Sequence, residues 1–398
     1  MNSLDVFLTV AMGGATLSMY LTAQAPRTLN PNPTAGKQEN AAHESGTAIA
    51  RDAAPIYILD FKPRPAIPQI EASPLISLPI LCTSEGTPFI TVPVPPRYTD
   101  QTIYSLDPKN PRKYSYRDVP GIYDVHFLSF FPSEEAVYVL VNATRDSKQS
   151  EYSVLSQSGQ TLGRGTGFRG EHSDFILKFD RSGSYQGAIE LPAELRFHRI
   201  AELADGRFVA VAYDPSNAVA RVVILKSDGT IDRNLSIPAE MEQNPELQRG
   251  TSGSVVGRAI AETSLSRWMF APSRGNILLY TAHANFPVLE IGAGGATREV
   301  PVAAPQGYYL AGVIPSSGRW LFRYSRKTLP AAGESDTRPE TRNYILYEVD
   351  PHDGHIKWEL DPGAGPSFGI ACEHDGVLTG FSLGPDSTYL PFTADAPK

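Results

Sequence analysis

An all-β fold, a six-bladed β-propeller closed by an N-terminal strand, is predicted by three observations. The chain holds 33 Gly and 34 Pro beside 18 Tyr and 17 Phe, a balance that favours many short strands joined by tight turns over long helices. An apolar strand, tight turn and second apolar strand recur six times along the chain. A different hairpin, turning at Gly or Pro, alternates with them, so that two hairpins make one four-stranded unit, the sequence form of a propeller blade.

Taken in order, the first element is an address. Val6 to Tyr20 is apolar, and Ala23-Gln24-Ala25 fits the small-x-small signature of signal-peptidase cleavage. Residues 1–25 are therefore expected to be a signal peptide. Because Asp5 stands where a basic residue is usual, retention of the segment as an N-terminal anchor is the alternative. Residues 26–54 carry almost no large apolar side chains and read as a disordered linker. The propeller is then expected over 55–398, in a protein secreted or held in the periplasm.

Ile56 to Phe61 (IYILDF) is an orphan strand expected to pair with the C-terminal strands and close the ring, hiding edges that would otherwise invite aggregation. The six first hairpins are Leu78 to Val92, Val125 to Val141, Phe197 to Tyr213, Arg267 to Ala282, Tyr308 to Tyr324 and Phe368 to Leu383. Five turn at a glycine, Gly86, Gly206, Gly275, Gly318 and Gly376, as positive φ requires. The second turns at Ser133-Glu134. The alternate hairpins begin at Ile103, Phe175, Val222, Val288 and Tyr344.

This grammar of apolar strand, D-G or S-x-G turn, apolar strand and x-x-x-D-x-x-G turn resembles the six-bladed propellers of the NHL, TolB-like and gluconolactonase-like superfamily, from about Ile56 to Lys398. The resemblance implies a fold more than an activity. The gluconolactonase-like relatives would imply a metal in the central funnel, held by carboxylate and amide ligands that find no clear match here. Tyr347 to Trp358 also looks like a quinoprotein-type repeat, but it occurs once.

In such a ring the intra-hairpin turns share one face and the longer connections the other. Asn142 to Ser173, Pro238 to Leu265 and Arg326 to Arg342 all fall on the second face, where they build a binding rim or are disordered excursions. At the start of the innermost strands, His126, His198, Arg267, Tyr309 and Ser367 are the candidate funnel-lining, ligand-binding residues. His126 and His198 both lie eight residues before a turn position, a pairing that suggests a metal or proton shuttle. With no acidic residue or third histidine in that register, two hydrogen-bonded structural histidines are the expectation, and no metal is assigned.

Gly365-Pro-Ser367-Phe-Gly369 matches the nucleophile elbow in spelling but leads into a strand. Gly165-Thr-Gly167-Phe-Arg-Gly170 spells a dinucleotide fingerprint without a βαβ frame and reads as a mobile loop. No zincin, P-loop, EF-hand or paired Cys-x-x-Cys spacing is present. Cys82 and Cys372 stand four residues before the turns of blades one and six. Export permits a disulfide, yet equivalent positions in neighbouring blades are expected to exceed the ~7 Å Cα limit, so two buried thiols are predicted.

A formal net charge of −8 argues against a nucleic-acid partner, which needs clustered cations. The functional expectation is a monomeric, cofactor-free binding or interaction scaffold that uses its loop-rich face for a protein or carbohydrate-like ligand, and touches membrane only through an uncleaved anchor. A metal-dependent hydrolase or lactonase is the alternative.

Overall fold

A computed structural model describes residues 54–65, 77–83, 85–94, 97–107, 109–155, 161–168, 170–248, 255–326, 344–361, 369–383 and 389–398. Residues 1–53, expected to hold a signal peptide and a linker, together with Ser367 and most of Arg326 to Arg342, lie outside the described residues. Six blade sheets follow one another along the chain, five of four strands and one, blade five, of five. Blade one is Ser77–Cys82, Pro88–Val94, Arg97–Ser105 and Arg112–Tyr114, and blade two is Tyr123–Pro132, Ala136–Thr144, Ser173–Asp180 and Tyr185–Glu190. Blade three comprises Arg196–Glu202, Phe208–Asp214, Val219–Leu225 and Ile231–Leu235; blade four, Trp268–Ser273, Asn276–Thr281, Val288–Ile291 and Thr297–Val300. Blade five has Tyr308–Ile314, Trp320–Arg326, Tyr344–Val349 and Ile356–Asp361; blade six, Ile370–His374, Val377–Leu383, Tyr389–Asp395 and, from the N-terminal side, Lys62–Pro63.

Burial explains why these segments are strands. The second strand of each blade is covered on both faces by the neighbouring blades, so Ala136–Thr144 and Phe208–Asp214 read as nearly unbroken apolar runs and are buried almost throughout. Outermost strands such as Ile231–Leu235 keep exposed polar residues. The innermost strand of blade six lies beside that of blade one, which completes the ring.

Closure differs in detail from the sequence expectation. Ile56–Ile58 does not join blade six; it pairs in parallel with Glu359–Asp361 on the outer edge of blade five. The closing strand is Lys62–Pro63, antiparallel to Thr393 and Phe392. The alternation of apolar residues in IYILDF marks a strand but not its partner, and chain direction decides.

A second correction concerns the cysteines. Cys82 and Cys372 form a disulfide with a Cα–Cα distance of 6.0 Å. Innermost strands converge on the ring axis, so equivalent positions there approach more closely than blades do on average. The bond is fully buried and closes a loop of 290 residues, which a chain-entropy account makes worth on the order of 5 kcal/mol.

The turn face is knitted across blades. Gly275 and Gly376 take positive φ directly after Arg274 and Asp375, which do so too, the signature of two-residue type I′ hairpins. Gly318, also expected in that conformation, does not adopt it. Its N–H instead donates to the Ser316 hydroxyl, which bonds the Glu373 carboxylate of blade six. The backbones of Ser273, Ser316 and Glu373 bridge blades four, five and six.

On the opposite face, the blade-two insertion is ordered: Gln149–Leu155 pairs with Thr161–Phe168. The Gly165 to Gly170 fingerprint lies largely on this second strand, not in a mobile loop. Between blades three and four, Ala239–Glu242, Pro245–Gln248 and Val255–Leu265 are helical, anchored by the buried Met241, Leu247, Ala261 and Leu265.

Candidate functional site: the central channel

The innermost strands of blades one, four, five and six enclose a cavity of about 170 Å³. That is smaller than the roughly 300–1,000 Å³ of pockets that swallow a whole drug-sized ligand, so it suits an end group. Ile80, Met269, Val313, Ile314, Ile370 and Ala371 make the walls apolar, while Arg267, Tyr280, His283 and Arg323 supply the polar groups. No carboxylate is among the lining residues described.

Each polar group is placed by its local backbone. Arg323 faces Gly312 across the blade-five hairpin, beside a bulge after Leu310. A Cβ at position 312 would lie 3.3 Å from Arg323 Nη2 and 3.8 Å from Tyr280 Oη; the glycine leaves room for both. Tyr280 accepts the Val313 N–H, and burial raises its pKa. Burial lowers that of Arg323, though a guanidinium stays charged at neutral pH. His283 is held at positive φ by its N–H donating to the Leu310 carbonyl, 2.7 Å away. Its pKa is lowered, first by burial and then by Arg267 and Arg323. An anion in the channel would reverse the repulsive part of that shift.

Of the sequence candidates, Arg267 lines the cavity mouth, where Glu246 from the blade-three to blade-four insertion holds it at 3.2 Å. Tyr309 stands edge-on to His283, with ring centroids 5.0 Å apart. His126 and His198 are not brought together. A bulge in the innermost strand leaves Leu128 as the extra residue in blade two and His198 in blade three, so His198 matches Leu128. His126 sits two residues earlier, matching Arg196.

His198 is a structural histidine, but not the hydrogen-bonded one expected. Its Nε2 is buried with no hydrogen-bond partner, and its pKa is pushed down to about 3, chiefly by burial and then by Arg199 and Arg196. The adjacent Arg199 donates to the carbonyls of Leu128, His198 and Ser266 at 3.1, 2.8 and 2.6 Å, tying blades two, three and four. His126 has acquired companions that register alone did not show: Asp124, two residues before it, and His172, from the return leg of the blade-two insertion.

Tyr280, His283 and Arg323 were missed because they lie on or just after second strands, where they interrupt apolar runs that read as core. Arg323 in WLFRYSR is the one legible signal, a charge at a position whose neighbours are buried. The quinoprotein-like segment is the outer hairpin of blade five. Its Asp350 accepts the His352 N–H at 2.7 Å and pairs with Lys357 at 2.9 Å, which accounts for the spacing as turn chemistry.

No protein-family model and no curated protein matches the chain in sequence. Among solved structures, it is similar to the PQQ-bound aldose sugar dehydrogenase of Streptomyces coelicolor at 12% identity and a TM-score of 0.36, covering 86% of this chain and 99% of that one. The xyloglucanase of Xanthomonas campestris gives 14% and 0.41 over 85% of this chain, which spans 46% of that enzyme. An α-L-arabinofuranosidase from Lactobacillus brevis gives 12% and 0.33 over 71% of this chain and 94% of the other. Likeness at this level transfers no activity; the six-bladed ring rests on the strand pairing described above.

Proposed function

We propose that this chain is an exported binding propeller whose central channel receives the anionic end group, carboxylate or phosphate, of a small carbohydrate-like ligand, with the insertion face as its rim. The observation that carries this reading is a lining with Arg323, His283 and, at the mouth, an Arg267 that Glu246 already engages, with no carboxylate among the described lining residues themselves. A low-dielectric cavity that presents guanidinium groups favours an anion, and a guanidinium matches carboxylate and phosphate oxygens in pairs. Export draws support from the buried Cys82–Cys372 bond, since structural disulfides persist in oxidising compartments. A hydrolase with a metal in the channel draws none, because the described lining offers no carboxylate to hold one.

Calorimetric titration with galacturonate and glucose 6-phosphate, each against its neutral sugar, tests the reading. An acidic sugar is expected to bind and its neutral counterpart not, with Arg267→Ala weakening binding by about 10-fold, the scale of one charge-assisted hydrogen bond. Equal behaviour of charged and neutral sugars would sink it.

A further inference from the structure

Outside the channel, blade two assembles a constellation of different chemistry. Asp124 Oδ2 lies 3.1 Å from His172 Nε2, and Asp124 Oδ1 lies 3.5 Å from His126 Nε2. The three donor groups fall within 4.8 Å of one another. We propose that Asp124, His126 and His172 form a binding site for a divalent transition-metal ion of the zinc class.

Three features point to a cation rather than to a hydrogen-bonded cluster alone. Metal bonds of about 2.1 Å at tetrahedral angles put ligand atoms about 3.4 Å apart, and the two imidazole nitrogens already lie 3.5 and 3.1 Å from the two separate oxygens of the one Asp124 carboxylate. Two imidazoles and one carboxylate suit Zn²⁺, Co²⁺ or Ni²⁺; one carboxylate is too few oxygens for Ca²⁺. Among the described residues, no lysine or arginine pairs with Asp124. The other cluster of this composition, Asp350, Asp353 and His355, differs on that point, because Lys357 already occupies Asp350.

The site is built by the fold. Asp124 has a positive φ of 50°, rare outside glycine and a mark of over-determined local structure, in an irregular stretch between Tyr123 and His126. His172 arrives from the inserted hairpin, whose Phe168 stacks on Tyr123 with ring centroids 5.7 Å apart. The chain then passes Gly170, where a Cβ would come within 2.8 Å of Asp146 Cβ and Thr144 Oγ1. A side chain at this position, whose φ is +117°, would be strained and would press on that turn. The side chain of His172 is 7% exposed, whereas those of His126 and Asp124 are 46% and 35% exposed. Three protein ligands with one open side is the arrangement that leaves a fourth position for water or an external ligand.

The test uses the full chain, free of any histidine tag and stripped with a chelator, titrated with Zn²⁺ by calorimetry and with Co²⁺ by visible absorption. One equivalent of each is expected to bind, with no response to Ca²⁺. His172→Ala and Asp124→Asn are expected to weaken Zn²⁺ binding beyond the roughly 100-fold that loss of an outer-sphere partner produces. His126→Ala, at an exposed position, keeps the test valid if the buried variant fails to fold, and His355→Ala serves as the unaffected control. Absence of stoichiometric binding by the native chain, or unchanged affinity in folded His126→Ala, would overturn the proposal and leave Asp124 as an acceptor shared by two imidazoles.

Discussion

Blades two and three each present a histidine on the innermost strand, and the two side chains meet opposite fates. His126 is half exposed and shares a carboxylate with a second imidazole. His198 is partly buried, has its Nε2 shielded from solvent with no partner, and is kept neutral with a pKa of about 3. The neighbouring groups follow the same division. Around His126 the nearest charge is Asp124; around His198 the nearest charges are Arg199 and Arg196. Burial with cations removes a histidine from acid–base and metal chemistry, and exposure with a carboxylate opens both.

The largest expected effect comes from removing the cation that seals blade three. Arg199→Met is predicted to destabilise the protein by about 3 kcal/mol, because three carbonyls in three neighbouring segments lose their donor at once. Urea unfolding followed by circular dichroism measures it against His126→Ala, predicted to stay within about 0.5 kcal/mol as an exposed substitution. Equal losses would erase the distinction between the two blades.

The second effect is on pH dependence. Since the folded pKa of His198, about 3, lies below the ordinary value, the unfolded chain takes up a proton that the folded one refuses. The stability this secures is complete above the unfolded pKa of about 6.5 and is lost as pH falls from there toward 3, at up to about 1.4 kcal/mol per pH unit. At pH 5.5 the loss relative to neutrality is about 1.3 kcal/mol. His198→Phe is predicted to flatten that part of the stability profile, and His126→Ala to leave it in place. A profile that His198→Phe does not change would show that water reaches the imidazole.

The same pair shows what could be read in advance. Strands and blade number were legible because inner and second strands are apolar and their turns carry Gly. Blade two lacks that glycine; the Ser133 hydroxyl and backbone close its turn onto Ala136 instead, and aligning Glu134 with Gly206 misplaced the histidines by two residues. Asp124 was not read either, because the backbone between Tyr123 and His126 is irregular, with Asp124 at a φ of 50°, and strand alternation does not predict which face it takes. Nor was His172, because it lies 46 residues downstream of His126, within an insertion that belongs to no repeat. The disulfide was hidden for a related reason: the approach of strands at a ring axis is a three-dimensional quantity that repeat spacing does not encode.

The smallest effect would separate the hairpin from the blade that carries it. Tyr123 precedes Asp124 and stacks on Phe168 at an interplanar angle of 27°, so the ring that anchors the insertion is next to the residue that the insertion must meet. Tyr123→Ala is predicted to cost only about 1 kcal/mol of global stability, the scale of one aromatic pair. Its local consequence should be larger. Hydrogen exchange at Gln149–Leu155 and Thr161–Phe168 is expected to accelerate while Phe175 to Phe179, in the body of blade two, keeps its protection. Zn²⁺ affinity should fall with it, because a loosened return leg samples positions where His172 no longer faces Asp124. Faster exchange with unchanged affinity would mean that Gly170 and the buried face of His172 hold the imidazole in place without the hairpin's help.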